Sequence, residues 1–66
     1  MSKGITDLIN YFNSLGFNAL HYPNQIHFVN KEKRIIFYLN NEIFEFFYNN
    51  SYIKTFTYED IKNENF

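Results

Sequence analysis

The sequence predicts a small α+β fold: an N-terminal amphipathic helix packed on one face of a four- to five-stranded antiparallel meander sheet, with a short C-terminal helical turn. Apolar residues recur with helical spacing in the first 15 residues, and a period of two then dominates up to Thr57. Pairs of turn residues cut that second stretch into short strands. The chain has 66 residues without an internal repeat or a linker, so we expect a single domain over residues 1–66.

The helix is predicted over residues 3–15. Its apolar residues share one face, with the i, i+3, i+4 and i+7 spacing of a buried stripe. They are Ile5, Leu8, Ile9, Phe12 and Leu15. Ser2 is suited to cap the first turn, and Gly16 follows the last apolar position, as a left-handed C-terminal glycine does.

Five strands are predicted in the stretch over residues 17–57, because β-branched and aromatic residues dominate it. Their bounds are Phe17–Tyr22, Gln25–Val29, Arg34–Leu39, Glu42–Tyr48 and Ser51–Thr57. Turn residues separate them at Pro23-Asn24, at residues 30–33, at Asn40-Asn41 and at Asn49-Asn50. Asn tolerates a positive φ, so the two Asn-Asn pairs suit two-residue hairpin loops.

Those loops fix the register of the sheet, and the register assigns every side chain to a face. Loop Asn49-Asn50, for example, pairs Phe47 with Tyr52 and Glu45 with Lys54, which are favourable neighbours. One face is then nearly pure hydrocarbon, and we expect it to pack on the helix. Its members are Phe17, Ala19, Ile26, Phe28, Ile35, Phe37, Leu39, Phe44, Phe46 and Ile53.

The opposite face, the mixed face, combines large apolar and aromatic groups with a few charges. Its predicted members are Leu20, Tyr22, His27, Val29, Arg34, Ile36, Tyr38, Ile43, Glu45, Phe47, Tyr52, Lys54 and Phe56.

The C-terminal turn, predicted over residues 58–63, begins where Thr57 and Asp60 have the spacing of a capping box. Either this segment covers the mixed face or a partner does. The segment offers only Tyr58, Ile61 and Phe66 as apolar groups, so we expect apolar surface to remain exposed.

Nothing in the sequence indicates catalysis, a cofactor or a metal site. The chain has no Cys, no glycine-rich phosphate loop and no nucleophile motif. The predicted register directs His21 and His27 to opposite faces, so the two imidazoles cannot act together. Glu59 and Asp60 fit the role of helix-dipole partners at a capped start. We therefore expect a protein that is not an enzyme.

Charge and hydropathy exclude two further classes. Six basic and seven acidic residues give a net charge of −1, which supplies no positive field to attract nucleic acid. No apolar run approaches the roughly 20 residues of a membrane span, and the chain starts without an apolar leader, so we expect a cytoplasmic protein away from membranes. The alternative that remains is a sheet whose aromatic rings stack single-stranded nucleic acid. Only Arg34 and Lys54 would supply cations there, beside Glu45.

A protein-binding module acting through the mixed face is the leading hypothesis, because exposed aromatic surface with a few charges is typical of interfaces. The predicted contact residues are Arg34, Ile36, Tyr38, Ile43, Glu45, Phe47, Tyr52, Lys54 and Phe56. The partner is a second copy, forming a homodimer, or a foreign protein. Phe, Tyr, Ile, Asn and Lys, which have A/T-rich codons, make up more than half of the chain. Size and composition together suggest a phage or mobile-element inhibitor, acting in the host cytoplasm on a CRISPR or other defence nuclease or a polymerase.

Overall fold

A helix, a five-stranded sheet and a final helical turn follow one another along the chain, in the predicted α+β order. The computed structural model describes residues 4–66. The elements are α1 (Ile5–Ser14), β1 (Asn18–Tyr22), β2 (Gln25–Asn30), β3 (Lys33–Tyr38), β4 (Ile43–Tyr48), β5 (Ser51–Thr57) and a 3₁₀ helix, η1 (Tyr58–Asn63). The strands form an open antiparallel meander in the order β1-β2-β3-β4-β5. The predicted fold class is confirmed.

The observed strand pairing follows the predicted register over most of the sheet, although only two of the four predicted loops have the predicted length. Asn49 and Asn50 have φ values of 51° and 66°, the left-handed pair that a type I′ turn requires. The two-residue loop predicted at Asn40-Asn41 is wrong, because the pairing of β3 with β4 ends at Tyr38 and Ile43 and the loop covers residues 39–42. Its positive φ, 54°, is at Glu42 and not at either Asn. The predicted pairing of β3 with β4 is nevertheless observed. The turn between β2 and β3 is tighter than predicted, because Asn30 and Lys33 already pair with each other.

A β-bulge in β5 breaks the predicted register. Phe47 pairs with Tyr52, but the next pair is Phe46 with Lys54, so Ile53 is an extra residue without a partner on β4. Every later residue of β5 therefore changes face, and Glu45 pairs with Thr55 instead of Lys54.

The bulge removes a residue that was predicted in the core and buries one that was predicted on the mixed face. Ile53 is 50% exposed, so its predicted place in the core is wrong. Phe56 is only 2% exposed and pairs with Phe44, so its predicted place on the mixed face is wrong as well. Lys54 also leaves the mixed face, since it now lies beside Phe46. A constant period of two cannot hold across an inserted residue.

Helix α1 is shorter than the predicted helix over residues 3–15. Gly4 is its N-cap and offers no side chain to cap it, whereas the predicted cap, Ser2, lies outside the described residues. Gly16 has a φ of 95°, the left-handed conformation predicted for it. Leu8 and Phe12 are buried, and the two ends of the stripe, Ile5 and Leu15, are partly exposed.

The core lies between the sheet and the helix, and it is largely aromatic. Its buried members are Leu8, Phe12, Phe17, Ile26, Phe28, Ile35, Phe37, Phe44, Phe46, Phe56 and Ile61. The ring of Phe12 stacks on that of Phe28, with 4.3 Å between centroids. Ala19 and Leu39, which were predicted on this face, pack at its margin.

The C-terminal segment packs on the same side of the sheet as α1. Capping at its start involves Thr57, whose backbone N–H donates to Asp60 Oδ2 at 3.3 Å. The ring of Phe66 lies 5.7 Å from that of Phe12 and 5.3 Å from that of Phe56. Tyr58 contacts the ring of Phe44 edge-on at 5.4 Å. The segment thus shares the covering of the core with α1 and does not cover the opposite side of the sheet.

Candidate protein-binding surface

The sheet face turned away from α1 is here called the open face. Alternation along each strand and the observed pairing define it. Its members are Asn18, Leu20, Tyr22, Gln25, His27, Val29, Arg34, Ile36, Tyr38, Ile43, Glu45, Phe47, Tyr52, Thr55 and Thr57. The predicted contact residues Arg34, Ile36, Tyr38, Ile43, Glu45, Phe47 and Tyr52 are among them. Lys54 and Phe56 are not, because of the bulge.

Large apolar groups are exposed at both margins of the open face. Leu20 and Tyr22 on β1 are 43% and 48% exposed, and Tyr52 on β5 is 56% exposed. The ring of Tyr22 lies 4.6 Å from that of His27, and the ring of Phe47 lies 6.0 Å from that of Tyr52. These contacts hold the exposed rings against neighbours on the same face, which limits the freedom that a partner would have to remove.

His27 is the centre of a polar group on this face. Arg34 Nη1 lies 2.7 Å from His27 Nδ1, and because a guanidinium can only donate, Nδ1 accepts. The hydrogen of the neutral ring is then on Nε2, which donates to Gln25 Oε1 at 2.8 Å. Burial, followed by the positive charge of Arg34, lowers the pKa of His27 and favours this neutral form.

A second polar pair joins β3 to β4. The Tyr38 hydroxyl donates to Glu45 Oε1 at 2.8 Å. That hydrogen bond, with burial and the carboxylate charge, raises the pKa of Tyr38, so the phenol remains a donor. At the β5 margin, Tyr52 Oη and Thr55 Oγ1 lie 2.7 Å apart.

Lys54 lies on the helix side of the sheet. It forms an ion pair with Glu64, and its Nζ lies 5.8 Å from the ring centroid of Phe46 and 5.7 Å from that of Phe66. Within residues 4–66, Arg34 is consequently the only Lys or Arg on the open face. The favourable pair predicted between Lys54 and Glu45 is replaced by contacts with the C-terminal segment.

Several open-face residues were missing from the predicted contact set. Gln25 was not assigned to a face at all, although its spacing of two from His27 in β2 signals the same side. Leu20, Tyr22 and His27 were assigned to the mixed face and then left out of the contact set. The exposure of Leu20 and Tyr22 on β1 depends on where the C-terminal segment packs, and strand alternation does not reveal that.

The remaining surface offers a shallow apolar groove between α1 and η1. Its volume is about 310 Å³, and its lining residues are Asp7, Leu8, Tyr11, Tyr58, Ile61 and Lys62.

In the part of the chain that the structure describes, no three His, Cys, Asp or Glu side chains are grouped to hold a metal ion. None of the described helices has the length and apolar character to cross a membrane. No protein family model, curated protein or solved structure matches this chain.

Proposed function

We propose that this chain is a non-enzymatic protein-binding module whose open face docks on a larger protein. The observation that carries this proposal is the placement of the two covering segments. Helix α1 and the C-terminal segment both pack on one side of the sheet, where Phe66 touches Phe12. In residues 4–66 nothing covers the other side, although Leu20, Tyr22 and Tyr52 are exposed there. Exposed large apolar groups on an uncovered face are a common feature of interaction sites.

The polar groups of the open face favour burial against a partner. Burying a polar group is costly when it loses its hydrogen bond to water without replacement. Here His27 is bonded on both ring nitrogens, and Tyr38 and Glu45 are bonded to each other. A partner can therefore cover the His27 ring and the Tyr38 hydroxyl without leaving them unsatisfied, whereas the second oxygen of the Glu45 carboxylate needs a donor from the partner.

The same groups suggest the chemistry of the partner surface. Arg34 uses one nitrogen on His27 and retains further N–H donors, which match a carboxylate. Tyr22, Phe47 and Tyr52 need apolar or aromatic groups opposite them. The proposed partner surface is hence apolar, with a carboxylate opposite Arg34 and a hydrogen-bond donor opposite Glu45.

The finer proposal is that docking inhibits a host protein by covering a functional surface. Its support is the A/T-rich-codon composition, which fits a phage or mobile-element inhibitor of a CRISPR or other defence nuclease or a polymerase. Acidic residues elsewhere are less suited to make the main contact. Glu64 is paired with Lys54, Asp60 caps η1, and Glu32 accepts from the Tyr48 hydroxyl.

A comparative pull-down tests the proposal. The tagged chain is incubated with host lysate, and the recovered protein is identified by mass spectrometry. The double variant Tyr22→Ser/Tyr52→Ser should reduce recovery of that protein about tenfold or more, because aromatic anchors supply much of an interface's free energy.

The matched control is Tyr48→Ser. Tyr48 is also an exposed tyrosine, at 40%, but alternation directs it to the helix side of the sheet. It should leave recovery unchanged, and circular dichroism should show both variants folded. Equal recovery with the double variant and the wild type would contradict binding through the open face.

A further inference from the structure

The two edges of the sheet differ in how they are protected. Edge strands expose unpaired backbone groups, and bulges or charged side chains commonly blunt them. Strand β5 has both devices, the bulge at Ile53 and the charge of Lys54. Strand β1, Asn18–Tyr22, has neither: it pairs with β2 without a bulge and contains no Asp, Glu, Lys or Arg. Four of its residues are exposed, and only Ala19 is partly buried.

The hairpin between β1 and β2 determines which backbone groups of β1 are unpaired. Tyr22 pairs with Gln25 across a two-residue loop, and residues that flank such a loop exchange hydrogen bonds. Bonding then alternates, so Leu20 and Asn18 also bond to β2. The N–H and C=O groups of Ala19 and His21 point away from the sheet.

We infer that β1 pairs with β1 of a second copy, antiparallel, about a twofold axis at Leu20. In this register Ala19 lies opposite His21 of the other copy, and vice versa. All the outward N–H and C=O groups of Ala19 and His21 are then used. Leu20 of one copy lies opposite Leu20 of the other, and both side chains are on the open face.

Neighbouring registers satisfy fewer groups. An axis at Ala19 would place His21 opposite Phe17, whose N–H already donates to Phe12 O at 2.9 Å. An axis at His21 would place Ala19 opposite Pro23, which has no N–H. The match of β1 with itself at Leu20, free of charge repulsion, is what favours a second copy over a foreign strand. The pairing would join two open faces side by side in one continuous sheet.

Cysteine cross-linking tests the register directly. The chain has no Cys, so Leu20→Cys introduces a unique thiol. Across the axis the two Cα atoms of a non-hydrogen-bonded pair would be about 4.5 Å apart, within the range of a disulfide. Leu20→Cys should form a disulfide dimer in a glutathione redox buffer. Thr55→Cys, in the same row of the open face but on β5, should remain a monomer. No dimer with Leu20→Cys, or equal dimer with both variants, would overturn the inference.

Sedimentation separates the edge from the open face. The measured mass of the wild-type protein should rise from 8.1 kDa towards twice that value as its concentration is raised to about 1 mM. Weak association of this kind is expected because two paired edge strands bury only a small interface. His21→Pro removes an outward N–H and should stay monomeric, whereas Phe47→Glu should still dimerise. If His21→Pro does not fold, the cross-linking result decides. A monomeric wild type would overturn the inference, as would a dimer lost only with Phe47→Glu. A monomer whose protein partner is lost with His21→Pro would identify a foreign strand as the occupant instead.

Discussion

His27 illustrates how the open face combines polar and apolar character at the level of one residue. Both ring nitrogens have partners on the same face, Arg34 and Gln25, and the ring packs against Tyr22. Protonation would require Nδ1 to donate, and Arg34 would then oppose it with a like charge. Burial acts in the same direction, so the folded chain holds the pKa of His27 below its ordinary value of 6.5.

This lowered pKa predicts a loss of stability at mildly acidic pH. Well above pH 6.5, His27 is neutral in both the folded and the unfolded chain and contributes no pH dependence. As the pH falls below that value, the unfolded chain binds a proton that the folded chain does not, so the free energy of unfolding decreases. The decrease ends once the pH is below the folded pKa. Urea unfolding at a series of pH values should show this loss.

The variant His27→Gln should not show that decrease. His21→Gln is the matched control, because it also removes one imidazole but leaves the group formed by His27, Arg34 and Gln25 intact. It should retain the acid-dependent loss. A wild-type-like pH profile in His27→Gln would show that the decrease arises from another group.

At the level of elements, sequence patterns predict β5 only as far as its loop. The Asn49-Asn50 turn and the pair of Phe47 with Tyr52 follow from local rules and are confirmed. Without an extra residue the alternation of β5 places Ile53 on the helix side of the sheet, and with one it places Phe56 there. Both patterns bury an apolar residue, so alternation alone cannot locate the bulge at Ile53.

Contacts from elsewhere in the chain favour the shifted register. With it, the ring of Phe56 lies 5.0 Å from that of Phe44 and 5.3 Å from that of Phe66. Lys54 also reaches Glu64. A buried Phe removes more apolar surface from water than a buried Ile. These partners lie outside β5, which is why a pattern read along β5 misses them.

The bulge predicts a specific ranking of two substitutions in β5. Phe56→Ala should reduce the free energy of unfolding by about 3–5 kcal/mol, because it empties a buried aromatic site. Ile53→Ala should cost less than about 1 kcal/mol, because its side chain is half exposed. Chemical denaturation monitored by circular dichroism measures both. The opposite ranking would mean that β5 keeps the unshifted register.

For the whole molecule, the sequence predicts the fold class, the element order and most of the core. It leaves open which side of the sheet the C-terminal segment covers, because its apolar residues are few and match either side. Phe66 settles on the helix side, where it touches the rings of Phe12, Phe17, Phe46 and Phe56. That placement leaves the open face without a covering segment among residues 4–66, which is the condition for a partner to dock there.

The charge of the whole molecule predicts the response to nucleic acid. The net charge is −1, and Arg34 is the only Lys or Arg on the open face within residues 4–66. Single-strand binding weakens with salt by a slope of about −0.7 per phosphate neutralised, so one cation gives a shallow slope and weak affinity. We expect no measurable binding of short single-stranded DNA or RNA at physiological salt, even at about tens of micromolar protein.

Fluorescence anisotropy with labelled oligonucleotides, repeated over a range of salt concentrations, measures this. Binding of a protein partner should persist over the same range, because burial of apolar surface is not screened by salt. The double variant Tyr22→Ser/Tyr52→Ser should weaken the complex with the protein partner. Neither the wild type nor this variant should bind the oligonucleotides. Submicromolar oligonucleotide binding that this variant abolishes would contradict the proposal. The exposed rings would then be a stacking platform for unpaired bases, and Arg34 would be the phosphate contact that accompanies them.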